Sequence, residues 1–460
     1  MSKKRVIGFI LGIIVGLFIY NSSFTGLSPE GQKCLAISLS GVIWWAAGVA
    51  MPGYVAFLML VLYVLTKTAP PNVVFTIWLS PLMYLVVSGY LLASAVEDSG
   101  MGRRIAYNFI LKFVDSFQSI IIAAYLLGLI LSLFIPHPFP RSFLIMSVMA
   151  VIIKAADLPR EDAAIIGLAV FGSSTVNSMV FLTGDSLLNT ATASFGGVAI
   201  TWVEWFKYMG IPGLIAHVLM CFLQLKLFKP VKTFSLDKQV VQNQLKEMGP
   251  LSSKEKRTLV WVLIAIAFWA TDFLHGIAPG WVSVVVVACL AMPVIGDVLT
   301  PKNWAAANMG TLMFLTAAMA IGAVGAHTGM NKWIATVALP SYVPENPFVF
   351  AAIVTTISIC IHMVMGSLLA VVGIAAPAII AYAAPTGWNP LFPTLLVYTA
   401  VCIHWLLPMH SMNILVGVGE AGGGKYQDKE VIRFGAAQTA VVYIMTIGVL
   451  VPWWKIIGLI

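Results

Sequence analysis

Charge is the first thing the chain lacks. Asp, Glu, Lys and Arg together make up 10% of its 460 residues, against roughly 25% in an ordinary soluble domain. That scarcity excludes a charged, water-facing globular surface. The five cysteines (Cys34, Cys221, Cys289, Cys360 and Cys402) are scattered through apolar segments without a CxxC or other metal spacing. They exclude a disulfide framework and a thiolate metal site, and read as small core residues. No HExxH and no paired acid and base stand close in the sequence, so no enzyme signature is present. The opening "MSKKRVIGFILGIIVGLFIY" is followed by "NSSFTG" rather than a small-x-small cleavage site, which predicts an uncleaved first helix rather than a signal peptide.

What is present is apolar residue: 60% hydrophobic, with a mean hydropathy of +0.95. A membrane-spanning helix needs about 20 predominantly apolar residues, and the chain offers many such runs. The fold class is an all-α polytopic membrane protein. Apolar runs bounded by Pro, Gly or charge predict about 11 transmembrane helices, near 6–20, 33–50, 53–66, 75–97, 161–192, 202–228, 258–274, 280–296, 308–326, 391–420 and 431–451. Two further regions, 117–153 and 347–383, are apolar at both ends and interrupted in the middle without a hydrophilic loop. They read as re-entrant hairpins, because non-helical backbone at membrane depth survives only where protein or a wet cavity satisfies it.

The two halves resemble each other. "AVEDSGMGRRIA" (Ala95–Ala106) parallels "AVGAHTGMNKWIA" (Ala323–Ala335), and "MPGYV" (Met51–Val55) parallels "APGWV" (Ala278–Val282). The resulting plan is an N-terminal extra helix (1–32), a first repeat (33–228), a cytoplasmic linker (229–257) and a second repeat (258–460). With the N-terminus in the cytoplasm and the C-terminus external, twenty of the 26 lysines and arginines fall on the inner side, as the positive-inside rule requires. The net charge of +8 then reflects contact with anionic headgroups and not nucleic acid. An inner (plasma) membrane location follows. Two similar units facing opposite ways form an inverted-topology repeat, the plan of secondary transporters, with the binding site where broken helices converge.

Four breaks carry the polar residues. The first interrupted helix, "FGSSTVNSMVFLTGDSLLNTATASFGG", holds Ser173, Ser174, Asn177, Ser178, Thr183, Asp185 and Asn189. Half-helix N-termini there favour an anion; freed carbonyls and Asp185 favour a cation. The alternative is an ordinary helix whose Ser and Thr bond back to their own carbonyls. The second, "CIHWLLPMHSMNILVGVGEAGGG", places His404 about one turn before Pro408, with His410, Ser411 and Asn413 after it. The second hairpin tip carries His362 and Ser367. The first, "FIPHPFPRSFLI", carries His137, Arg141 and Ser142. An Arg can bind a carboxylate bidentately; the competing reading has Arg141 snorkel to the cytoplasmic headgroups. The expected substrate-binding set is Arg141, Ser142, Ser174, Asn177, Ser178, Ser367, His410, Ser411 and Asn413. The expected ion- or proton-coupling set is Ser173, Thr183, Asp185, Asn189, His137, His362 and His404, histidine offering a proton route through its near-neutral pKa.

In this order of elements the chain resembles the divalent anion–sodium symporter family, which carries dicarboxylates, citrate and sulfate. "ITWVEWFKYMGIP" (Ile200–Pro212) and "GVLVPWWKIIGLI" (Gly448–Ile460) are similar to that family's segments at the same places. The resemblance implies a homodimer, a scaffold domain, and a transport domain that moves like an elevator. It implies no cofactor beyond a sodium ion. The family's tips carry Ser-Asn-Thr; here the second tip keeps Ser367 but continues with Leu368 and Leu369, and the first offers Pro138, Phe139 and Pro140. The family's Thr-Pro-Pro-Asn breaks survive only as Pro408 with Asn413, and as Asn189. The expected function is secondary active transport of a small organic anion (carboxylate, dicarboxylate or sulfonate), coupled to sodium, proton or exchange. The alternative is a cation/proton antiporter or arsenite-type permease of the same superfamily, leaning on Asp185 and Asp272.

Overall fold

A computed structural model describes residues 3–197, 200–232, 234, 237–340, 342–407, 410–411 and 424–460. Among these there is no β-strand. The chain begins with α1 (Lys3–Asn21), α2 (Pro29–Ala47), α3 (Pro52–Leu65) and the one-turn α4 (Pro71–Val74). Next come α5 (Pro81–Ser99), α6 (Met101–Phe113), α7 (Phe117–Phe134), α8 (Pro138–Ala155), α9 (Arg160–Val176) and α10 (Leu188–Phe195). The short α11 (Trp202–Trp205) runs through a π-turn into α12 (Ile211–Leu227), and α13 (Lys238–Glu247) follows. After it come α14 (Ser253–Ala270), α15 (Asp272–His275), α16 (Pro279–Ala291), α17 (Met309–Thr328) and α18 (Met330–Val337). The chain closes with α19 (Pro347–Val364), α20 (Leu368–Ala383), α21 (Leu391–Cys402), α22 (Asp428–Tyr443) and α23 (Val451–Ile456).

Local chemistry sets these boundaries. Ser28 caps α2 by accepting from the Gly31 N–H, with Pro29 at the first helical position, where its missing N–H costs nothing. Gly100 (φ 80°) closes α5 and opens α6; Gly329 (φ 79°) does the same between α17 and α18. A left-handed turn is cheap only for glycine, so the shared "SGMG" and "TGMN" turns bend each arm away from its helix in the same manner.

Among the described residues, eight helices are long and apolar enough to cross a bilayer, and among them are both arms of each interrupted region. The 117–153 region is α7 and α8 joined by three residues, and 347–383 is α19 and α20 joined likewise. Each arm has at least 16 residues, about 24 Å or more at 1.5 Å per residue. The arms therefore approach a full hydrocarbon thickness, and each pair is joined by a three-residue turn. The run at 75–97 differs from the one helix expected there: Ser80 and Pro81 restart the helix, leaving a separate 3-10 turn at Thr76–Leu79.

Buried apolar side chains form two cores. The smaller joins α1, α2 and α3 to one face of α17, through Trp44, Met59, Tyr63, Ala317 and Val324 among others. The larger encloses the hairpins and the interrupted helices. Packing across the halves is reciprocal: α3 lies on α17, and α5 lies on α16. On α1, Ile7, Phe9, Ile10, Ile14, Leu17 and Phe18 point outward and are largely exposed, as a lipid-facing surface must be.

The segment joining the halves is folded down rather than loose. Its helix α13 lies against α6. Arg104 reaches from α6 to Glu255 Oε1 (2.5 Å) and to the Gly249 carbonyl (3.0 Å). Burial opposes the charge on Glu255, but Arg104 and the Ser252 cap outweigh it and hold the carboxyl below its ordinary value. Asp162, fully buried at the start of α9, accepts from the Val231 and Lys232 N–H groups (2.7 and 3.0 Å).

Candidate functional site

The first tip is Ile135–His137, and the helix after it begins at Pro138. The prolines thus open α8 instead of forming the tip, occupying first-turn positions whose N–H groups have no helical partner. His137 caps α8: its Nδ1 accepts from the Phe139 N–H (3.2 Å). That leaves the proton on Nε2, which donates to the Tyr90 hydroxyl (3.1 Å).

Arg141 lies one turn inside α8 and is 0% exposed, so its guanidinium does not snorkel to the headgroups. It reaches the broken helix beyond α9. Nη1 donates to the carbonyls of Ile135 (3.0 Å) and Gly184 (2.9 Å); Nη2 donates to the Ser174 carbonyl (3.2 Å) and the Ser178 hydroxyl (3.0 Å). Its Nε–H has no partner. No carboxylate forms an ion pair with it among the described residues.

The first break is two 3-10 turns, Asn177–Met179 and Leu182–Asp185, between α9 and α10. It is tied to the tip by the Ser186 N–H on the Pro136 carbonyl (3.0 Å). Most expected polar residues in this region are engaged with the fold itself. Asn189 Nδ2 donates to the carbonyls of Ser178 (2.7 Å) and Phe181 (2.9 Å), while its Oδ1 accepts from the Tyr398 hydroxyl of α21 (2.6 Å). Asn177 donates to the Tyr125 carbonyl (2.9 Å) and accepts from His217 Nδ1 (2.6 Å). Thr183 Oγ1 accepts from the Trp202 indole (3.1 Å). Asp185 Oδ1 accepts from the Leu187 and Leu188 N–H groups (both 3.1 Å), starting α10. Ser142, Ser173, Ser174 and Ser178 each donate to a carbonyl three or four residues back. These are the helix-bonded hydroxyls of the alternative sequence reading.

A second group gathers at the other tip. Ser367 caps α20, accepting from the Ala370 N–H (3.3 Å). His362 stands in the last turn of α19. His404 lies beyond α21, which ends at Cys402, and so is not in helix before Pro408 as the sequence suggested. His362 and His404 meet Nδ1 to Nδ1 at 3.1 Å, and His362 Nε2 lies 3.4 Å from the His410 carbonyl. All three histidines are buried. Ser411 is also buried, beside His410; Asn413 and Pro408 lie outside the described residues.

The two groups are connected through the interrupted helices, which run side by side. Tyr398 bonds Asn189, Cys402 Sγ contacts the Thr175 carbonyl (3.7 Å), and Trp405 packs on Phe171 (ring centroids 4.5 Å apart). Asp272, by contrast, sits apart from these contacts, its carboxylate accepting from the Trp202 N–H (2.5 Å). A cavity of about 670 Å³ opens between α17 and α18 on one side and α10 and α20 on the other, lined by Ser80, Ser194, Gly322, Asn331 and Pro377 among others. No candidate site residue lines it.

Sequence reasoning missed Tyr90, Tyr398, His217, Gln224 and Gln438. Gln224 donates to the Ile165 carbonyl (2.8 Å) and accepts from Tyr125; Gln438 Nε2 donates to the Ile403 carbonyl. The available signal was a single polar residue within an apolar run, which marks a bundle-facing position.

Hairpin tips docked into broken helices, with buried polar groups at the junctions and apolar helices around them, define a polytopic membrane transporter. The comparisons with known proteins agree. The description "Sodium:sulfate symporter transmembrane region" matches residues 3–460, and the chain belongs to that family. It is a transporter family, not a family of enzymes. The chain is 24% identical to the dicarboxylate transporter 1 of chloroplasts from Spinacia oleracea, over 100% of this chain and 82% of that one. It is also 24% identical to the citrate/succinate antiporter of Escherichia coli, over 81% of this chain and 78% of that one. Among solved structures it resembles the YdaH transporter of Alcanivorax borkumensis, with TM-score 0.56 and 14% identity, covering 99% of this chain and 98% of that one. That likeness concerns the fold alone.

Proposed function

We propose that the chain is a secondary active transporter of a small organic anion, a mono- or dicarboxylate with sulfonates as the neighbouring class. The observation that carries the reading is Arg141: a fully buried guanidinium with no carboxylate partner among the described residues and one N–H still to give. Asp185 acts on this charge only at a distance, with no ion pair at contact; a buried charge without a contact partner is costly, and a substrate carboxylate supplies one. The names of the dicarboxylate and citrate/succinate relatives support the carboxylate class. The antiporter reading leaning on Asp185 and Asp272 has less support: Asp185 accepts from two backbone N–H groups, and Asp272, whose Oδ1 is buried without a partner, stands apart from the tips and the breaks.

Alternating access in this proposal is an elevator movement of α7–α12 with α19–α23 against the remaining helices. It is supported by the recurring order of arm, hairpin and interrupted helix, and by the cavity between α17/α18 and α10/α20. Residues 33–228 and 258–460 are then the two inverted repeats, the N-terminus cytoplasmic and the C-terminus external, in an inner-membrane homodimer. Coupling is by sodium, proton or exchange, and sodium is the one ion the family description suggests.

The test is uptake by purified protein in liposomes, with labelled succinate, malate, citrate and a short sulfonate. Sodium, proton and counter-substrate gradients are imposed one at a time. Saturable accumulation driven by one of them is expected. Non-saturable flux indifferent to every gradient overturns the reading.

A further inference from the structure

We propose that His362, His404 and His410 form a binding site for a divalent transition cation of the zinc class, clamping the second hairpin to the segment after α21. The three are buried, and one nitrogen of each lies within 4.8 Å of the others. They come from two places, the last turn of α19 and the chain beyond α21, so an ion among them adds a coordinate bridge to the two hydrogen bonds by which His362 already meets that segment.

The hydrogen bonds fix the tautomers. The His362 Nε2–H faces the His410 carbonyl and donates to it, so His362 Nδ1 carries a lone pair. His404 must then supply the proton shared between the two Nδ1 atoms, leaving its own Nε2 bare. Moving that one proton from Nδ1 to Nε2 of His404 turns both Nδ1 atoms into ligands with no net loss of protons.

The spacing suits an ion. A tetrahedral centre with bonds of about 2.05 Å sets its ligands about 3.4 Å apart. The two Nδ1 atoms stand 3.1 Å apart, so an opening of a few tenths of an ångström, about 0.3 Å, admits the ion. The His362 Nε2–H on the His410 carbonyl is then the outer bond by which metal-binding histidines are oriented.

His410 is the weaker third ligand. Its Nδ1 accepts from the Leu406 and Leu407 N–H groups (3.1 and 3.4 Å), while its Nε2 is buried without a partner. With Nδ1 accepting, its proton sits on Nε2, so joining the ion through Nε2 releases that proton, and joining through Nδ1 gives up those two bonds. The group contains imidazoles and no carboxylate, a donor set that suits zinc, nickel, copper or cobalt and not sodium or magnesium.

The test uses the full chain in detergent carrying His275→Ala and His327→Ala, which remove the two histidines nearest the surface. Equilibrium dialysis with Zn2+ is expected to give one saturable ion per chain, with affinity at least tenfold weaker in His362→Gln and in His404→Gln. X-ray absorption of Co2+ bound to the unsubstituted chain checks the site without relying on those variants, and is expected to show imidazole nitrogens in the first shell. Zn2+ is further expected to arrest uptake in liposomes. Absence of saturable binding, an affinity in both glutamine variants equal to that of the parent, or a first shell of oxygen alone overturns the proposal. The binding readouts need no substrate, so they stand or fall separately from the anion reading.

Discussion

Replacing Arg141 by alanine removes four hydrogen bonds from a fully buried position. The Ser174 carbonyl keeps the Ser178 hydroxyl as a donor (2.6 Å). The Ile135 and Gly184 carbonyls, one in the first tip and one in the first break, lose the Nη1 donor they share. Each buried polar group left unpaired costs about 1–3 kcal/mol. The space vacated by the side chain adds a cavity term, about 24 cal/mol per Å³ of what does not collapse. Together they come to about 4 kcal/mol, in line with breaking a buried charged network. Arg141→Lys keeps the charge but has one nitrogen where the guanidinium fork has two, so about half that loss is expected. Tryptophan fluorescence on heating in detergent ranks the variants, alanine lowest and lysine between. Hydrogen exchange gives the local check: amides of 177–187 should exchange faster in Arg141→Ala, the Ser186 N–H among them. Unchanged melting together with unchanged exchange in that segment would refute the view that Arg141 pins tip to break.

Gly280→Ala puts a methyl group onto the Pro81 carbonyl where α16 crosses α5; overpacking of about 1–3 kcal/mol is expected, and thermal melting should show it, while Gly448→Ala, with open space around it, should melt like the parent. Asp162→Ala removes the acceptor for the Val231 and Lys232 N–H groups, and limited proteolysis should cut near 229–237 several-fold faster. The Arg104–Glu255 clamp gives a pH dependence. The folded pKa of Glu255 lies below its ordinary 4.5, so its contribution is complete above that pH and is lost as pH falls through the depressed value; proteolysis of the segment 248–257 should rise in that acid window, and in Arg104→Gln, which keeps only the Ser252 cap, the acid step should shrink. Tyr398→Phe deletes the hydroxyl on Asn189 Oδ1, worth about 1 kcal/mol, and should lower the melting temperature without abolishing folding.

The sequence by itself determined the solvent, and with it the class. Sixty per cent apolar residues and 10% charge leave no water-soluble arrangement, and a bilayer accepts only helices or closed barrels. The breaks were legible too, because proline, glycine and clustered Ser, Thr and Asn alter the backbone locally wherever they stand. Tertiary structure decided which polar atoms remain free. Asn189 and Asn177 look like site residues in the sequence, yet their amides hold together α10, α21, α7 and α12. Arg141 was poised between headgroups and interior until the carbonyls of Gly184 and Ser174, more than thirty residues away, drew it inward. His362 and His404 stand 42 residues apart in the chain and 3.1 Å apart in space. Hydrogen bonds and ligand sets depend on distances of a few tenths of an ångström between segments distant in sequence, and such distances are set only when every helix has packed.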